Sequence, residues 1–163
     1  MPRLSRARKE SALSEKDSDP AQSTLFVHSM PGHIVRRLQQ VAVRLFAEEV
    51  GADMTPVQYA SLSAIADRPN IGQAALAALI GYDRATIGGV IDRLEQRGLL
   101  TRVPTPGDRR ANALVLTAAG HEAVAGNRRK VEDVQNRLLA PLSDTEQRHF
   151  EAMCLKILVH HKG

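Results

Sequence analysis

A mainly α-helical fold with one small β-hairpin is what this sequence predicts, on three observations. Apolar residues recur at helical spacing along most of the chain from Pro31 onward. Aromatic residues amount to only 3% with no Trp, so the core must come from Ala, Leu, Val and Ile, a composition that suits helices packed on helices. One region, "LLTRVPTPGDRRANALVLT", sets two strand-like runs on either side of a proline–glycine turn.

The elements follow in order. Residues 1–30 are polar and mixed in charge, and are read as a mobile tail, with a basic arm for DNA (Arg3 to Lys9) as the functional alternative. Pro31 opens a helix that Gly51 closes. Its apolar stripe is Ile34, Leu38, Val41 and Leu45, with Val35, Ala42 and Phe46 beside it. Thr55 then caps a second helix with Pro56 at its first position and Gln58 three residues after the cap, a capping-box signature. "RPN" breaks the chain before "IGQAALAALIG", a short helix offering Ala74, Leu76, Leu79 and Ile80 for packing. Gly81 and Tyr82 make a tight turn, and Asp83 caps a helix that runs to about Arg97. After the hairpin, Thr117 caps a long helix through Leu139, stopped by Pro141. Ser143 and Glu146 form a second capping box at the head of a last helix ending near His161.

Two helices across a glycine-containing turn, followed by a hairpin, describe a winged helix-turn-helix over about residues 55–116. The terminal helices, about 31–51 and 117–161, are longer than so small a core needs for cover. They are expected to pair with those of a second subunit, within one domain spanning 31–161. The 163 residues, 43% hydrophobic and 25% charged, suit a single globular domain.

A net charge of +4 allows an acidic partner without demanding one. The single cysteine, Cys154, excludes an internal disulfide and fits a reducing compartment. No apolar run approaches the ~20 residues of a membrane span, and no signal-peptide pattern opens the chain, so a cytoplasmic protein without membrane contact is expected.

Position sharpens the charge argument. Wound as a helix, Asp83–Arg97 turns Ile87, Val90, Ile91 and Leu94 inward and leaves Ala85, Gly89, Asp92 and Gln96 outermost. Gly88 and Gly89 stand side by side there, each costing about 1 kcal/mol against alanine. Bare backbone on the first two turns would let such a helix sit deep in the major groove, with Arg84, Thr86 and Arg93 reaching bases or phosphates. Close packing inside the domain is the other explanation, and it suits Gly88 better than Gly89. Asp92 and Glu95 would repel phosphate, so the C-terminal half is expected to rise out of the groove. At the hairpin tip Arg109 and Arg110 suit a narrow minor groove, and Asp108 could brace one of them by a bidentate pair.

These residues resemble a known family. "DMTPVQYASLSAI" and "IGQAALAALIGYDRATIGGVIDRLEQRGLLTRVPTPGDRRANALVLTAAG", with the flanking helices, are similar to the MarR family of bacterial transcription regulators over roughly residues 31 to 161. The resemblance implies a symmetric homodimer bound to double-stranded DNA at a pseudo-palindromic operator. It implies Asp83–Arg97 as recognition helix, Arg109 and Arg110 as wing arginines, and Asp108 as their brace. The candidate DNA contacts are therefore Tyr82, Arg84, Ala85, Thr86, Gly88, Gly89, Arg93, Asp108, Arg109 and Arg110. Gly88 and Gly89 depart from the family, whose members commonly carry larger polar residues there. Many members are repressors released by a small aromatic or phenolic anion held between the dimer helices and the DNA-binding lobe. The wording here is nearest to regulators of aromatic-acid catabolism, some of which answer to the acid or its coenzyme A thioester.

A polar stripe on the first helix, His33, Arg37, Gln40 and Arg44 with Arg36 at its edge, could hold such a carboxylate, with Tyr59 and Ser63 across from it. A solvated face or inter-subunit contacts would account for the same stripe. The six histidines show no metal-ligand spacing, and neither a metal nor a cofactor is expected. Cys154, near Met153, Ile157 and Leu158, is expected to be buried packing, with redox sensing as the alternative. No nucleophile elbow, phosphate-cradling loop or catalytic acid pair appears, so an enzyme is not expected. A ligand-responsive repressor is the leading reading. A redox-sensing regulator and a winged-helix protein-interaction module are the alternatives.

Overall fold

The computed structural model describes residues 26–105 and 108–161; of 105 and 108–111 it describes the backbone alone. The expected tail up to residue 25 and the turn 106–107 lie outside the described residues. After one helical turn at 26–29 come α1 (Pro31–Val50), α2 (Pro56–Asp67), β1 (Ile71–Gly72), α3 (Gln73–Ile80), α4 (Arg84–Gln96), β2 (Leu100–Thr105), β3 (Asp108–Leu116), α5 (Ala118–Leu139) and α6 (Asp144–His160). Two compact units divide within α1, between Gln40 and Val41. No single helix among the described residues is long and apolar enough to cross a membrane.

The helix ends are built by the residues that the sequence offers for them. Thr55 Oγ1 accepts the Gln58 amide at 3.3 Å while Gln58 Oε1 accepts the Thr55 amide at 3.0 Å. Asp83 Oδ1 accepts the Thr86 amide at 2.8 Å, and Thr117 Oγ1 the Gly120 amide at 3.1 Å. The Glu146 carboxylate accepts both the amide and the hydroxyl of Ser143, at 2.8 and 2.7 Å. The backbone amides among these donors are ones that a helix start leaves free.

The core lies in the second unit, where α2, α3, α4 and the sheet meet. Leu62, Ile65, Leu76, Ile87, Ile91, Leu94, Leu100 and Leu114 are all but fully buried. Each contributes about 1.5–3 kcal/mol by leaving water. The inward face expected for α4, Ile87, Val90, Ile91 and Leu94, is the face observed.

The structure corrects several expectations. Ile71 and Gly72 do not begin the short helix. They form a strand against Leu114 and Ala113, making a three-stranded antiparallel sheet in the order β1-β3-β2. Asn70, with φ +68, turns the chain into that strand, and its amide bonds the Leu114 carbonyl at 3.2 Å. Two residues are too few to leave an alternating pattern. In α3 the buried pair is Leu76 and Ala77, while Ala74 and Leu79 are exposed. The hairpin strands run further than expected, with Thr105 paired to Asp108 beyond a bulge at Pro104/Thr105, so the tip is tighter. Cys154 is half-buried, not buried, and its neighbours Met153, Ile157 and Leu158 are exposed.

On α1, Leu45 and Phe46 are buried, but Ile34, Val41 and, at 66%, Val35 are exposed. Helix α6 buries no residue at all, and Ile157 is 60% exposed. Periodicity marks an apolar face; what covers it is a separate matter.

Gly120, on the first turn of α5, is a fixed point of the second unit. A Cβ built there would lie 1.9 Å from the Leu99 carbonyl oxygen. The Thr117 amide bonds that oxygen at 3.2 Å, and the Thr117 hydroxyl bonds the Gly98 carbonyl at 2.6 Å. The start of α5 is thus locked against the chain that leaves α4.

Candidate nucleic-acid interface and effector cleft

Helices α3 and α4 meet at 111°, an angle in the helix-turn-helix range. Their turn depends on Gly81, whose φ of +73 is left-handed backbone that favours glycine. The amides of Gly81 and Tyr82 both bond the Ala77 carbonyl, so α3 ends firmly and α4 starts at a fixed angle.

Tyr82, Arg84, Ala85 and Thr86 are exposed at the head of α4, and Arg93 is exposed further along. Asp83 anchors this end twice, because the Thr86 hydroxyl also donates to its other oxygen. That hydroxyl, then the backbone amides, hold the Asp83 carboxyl below its usual range, so the cap stays ionised. Thr86 keeps its oxygen as an acceptor toward any partner.

The two glycines have different surroundings. A Cβ on Gly88 would stand 3.1 Å from Gln73 Nε2, the amide that reaches from α3 to donate to the Arg84 carbonyl at 3.2 Å. Gly88 therefore leaves room for a strut between the two helices. A Cβ on Gly89 would meet nothing nearer than Arg93 Nη2, at 3.9 Å. No packing demand explains that glycine, and its outer side is open.

Asp108, Arg109 and Arg110 fall on the first residues of β3, with their side chains outside the described residues. What sequence reasoning missed is Arg102. Its guanidinium pairs with both Asp92 and Glu95 on α4, and its amide donates to Glu95 Oε1 at 3.1 Å. A lone arginine in a short strand gives no sign of its partners, which lie across the helix–strand boundary.

The residues proposed for a ligand fall in two places. In the first unit, His33 lies half-buried with its Nδ1 3.5 Å from Arg36 Nη2, and Arg36, Arg37 and Gln40 are exposed. Loss of hydration, then repulsion from Arg36, the His28 ring and Arg37, holds the His33 pKa below its ordinary 6.5. Arg44, in the second unit, is committed to an ion pair with Glu48 at 2.9 Å. In the second unit as well, Tyr59 and Ser63 line one open cleft between α2 and α5, of about 330 Å³, with Asp67, Val124, Arg128 and Glu132. Burial pushes the Tyr59 phenol above its usual range, so it remains a neutral donor. Arg128 and Glu132 pair at 3.2 Å and stay largely exposed.

Comparison with known proteins gives a consistent result. The MarR family profile matches residues 52–111. A proposed transcriptional regulatory protein for the hcr operon of Thauera aromatica is 38% identical over 136 residues, covering 78% of this chain and 82% of its own. The crystal structure of the transcriptional regulator PcaV from Streptomyces coelicolor, in complex with its natural ligand, superposes with a TM-score of 0.78 at 34% identity, over 81% of this chain and 94% of that one. The transcriptional repressor CouR bound to a 23-mer DNA duplex superposes with a TM-score of 0.75 at 27% identity, over 81% of this chain and 94% of that one.

Proposed function

This chain belongs to the MarR family of transcriptional regulators, and from that premise we propose that it is a homodimeric repressor released by a small aromatic acid or its coenzyme A thioester. The observation that carries the DNA half of the reading is the head of α4. A capped, rigidly angled helix end presents Tyr82, Arg84, Ala85 and Thr86, with the open side of Gly89 on the next turn. Helix-turn-helix proteins place this part of the second helix against base edges. Arg84 and Arg93 then serve phosphates or bases, and Arg109 and Arg110, braced by Asp108, serve the adjoining minor groove. CouR, similar over most of its length, is a repressor seen on DNA.

The uncovered apolar faces of α1 and α6 support pairing through segments 31–51 and 117–161. Two subunits would place two reading helices on a pseudo-palindromic operator. For the effector, Arg36 and Arg37 beside His33 offer cationic donors to a carboxylate. Tyr59, Ser63 and Arg128 offer a second polar set around a cleft large enough for one aromatic ring. The PcaV structure holds that protein's natural ligand, which favours a ligand-responsive member.

A gel shift on DNA upstream of its own gene, with and without a panel of aromatic acids and their thioesters, tests both halves. A specific shift released by one compound is expected. Absence of a specific shift at low salt, with folded dimer present, would overturn the repressor reading and favour a protein-interaction module.

A further inference from the structure

Asp92 and Glu95 raise a difficulty for a DNA-reading helix, since they flank Arg93 on the half of α4 that follows the base-reading turns. Left alone, the two carboxylates repel the phosphates that Arg93 attracts. The fold answers with a cation from another element. The two terminal nitrogens of Arg102 go to different acids, one to Asp92 and one to Glu95, and Glu95 also accepts the Arg102 backbone amide. The Arg102 side chain is 26% exposed, against 57% for Asp92 and 34% for Glu95, so the cation is the more sheltered partner. The trio carries one net negative charge instead of two. Because Arg102 belongs to β2, the same contact pins the first wing strand to the reading helix. A lysine would bring the same charge without the planar fork by which Arg102 addresses one carboxylate with each terminal nitrogen.

We infer that Arg102 is a positioning residue for DNA binding, which draws the Asp92 and Glu95 carboxylates onto itself and away from the phosphate backbone. The inference deepens the DNA-binding reading and rests on it. In this arrangement each terminal nitrogen of Arg102 holds one of the two acids, so the role assigned to it is indirect. Its effect on DNA passes through the two acids.

The test is operator affinity at 50 and 200 mM salt for four proteins on the same upstream duplex, with circular dichroism to confirm folding. The proteins are the wild type, Arg102→Met, Asp92→Asn/Glu95→Gln, and the triple variant. Arg102→Met is expected to bind roughly tenfold more weakly at low salt, comparable to losing a phosphate contact or two. That deficit should shrink at the higher salt, because repulsion between charges near the surface is screened. The triple variant should recover most of the affinity. Asp92→Asn/Glu95→Gln keeps acceptors for Arg102 and should bind at least as tightly as wild type. That variant tests the inference even where Arg102→Met folds poorly. Three results would overturn it: undiminished binding by Arg102→Met, no recovery in the triple variant, or weaker binding by the amide pair. Failure of the wild type to bind the duplex specifically would instead bring down the DNA-binding reading itself.

Discussion

Replacing Gly120 by alanine should destabilise the protein, although glycine-to-alanine changes within helices ordinarily stabilise. The added Cβ would start 1.9 Å from the Leu99 carbonyl oxygen and 3.0 Å from the Leu99 carbonyl carbon. Both are backbone atoms, so no side-chain rotation relieves the clash. Reaching ordinary contact requires a backbone shift of about 1.5 Å. Such a shift strains the Thr117 bonds to the Leu99 and Gly98 carbonyls, about 1 kcal/mol each. Overpacking adds about 1–3 kcal/mol, and improved helix propensity offsets about 1 kcal/mol. The net loss is about 2–4 kcal/mol, a fall in Tm of roughly 5–15 °C for a chain of this size. Gly126 in the same helix is the control: it is exposed, and a Cβ there meets nothing within 4 Å. Gly126→Ala should raise Tm by a few degrees. Thermal unfolding of both variants followed by circular dichroism decides the matter. A Gly120→Ala protein as stable as wild type would refute the packing argument at that position.

Other expectations follow from the proposed interface and effector site. Arg110→Ala should weaken operator affinity about tenfold at low salt while size-exclusion chromatography shows an intact dimer; wild-type affinity would remove the wing from the interface. Gly89→Arg should change the footprint or abolish binding without a large change in Tm, since the space around that position is open. An unchanged footprint would place Gly89 outside the groove. Arg37→Ala should weaken release by the effector while operator affinity stays within about twofold; equal loss of both would reject Arg37 as a ligand contact. Effector affinity should also rise as pH falls. The His33 pKa lies below 6.5 in the free protein, so the ring is neutral at pH 7. An anion bound beside it favours the protonated form, so binding takes up a proton, and the gain should vanish in His33→Gln. Isothermal titration between pH 7.5 and 5.5 reads the slope directly, and a flat wild-type profile would separate His33 from the effector.

Much of this architecture was legible locally. Thr55, Asp83, Thr117 and Ser143 each stand at a helix start that they help to build, because capping depends on residues only three apart. The inward face of α4 was legible for the same reason: Ile87, Val90, Ile91 and Leu94 repeat with the helical period. That Gly88 lies closer to a neighbouring helix than Gly89 could be anticipated from their distance to that face.

Contacts between residues distant in sequence were not legible. Ile71 and Gly72 become a strand only because β3 returns beside them, some forty residues later. Arg102 reads as an ordinary strand arginine until the fold places it against Asp92 and Glu95. Gly120 reads as a weak point near the head of a helix until the Leu99 carbonyl is set against it. The chain's own periodicity and caps thus determined which elements form and which faces are apolar, since those depend on neighbours within a turn or two. Tertiary structure alone decided which charges neutralise one another and which glycine admits no side chain, because both depend on distances through space that residue spacing does not encode.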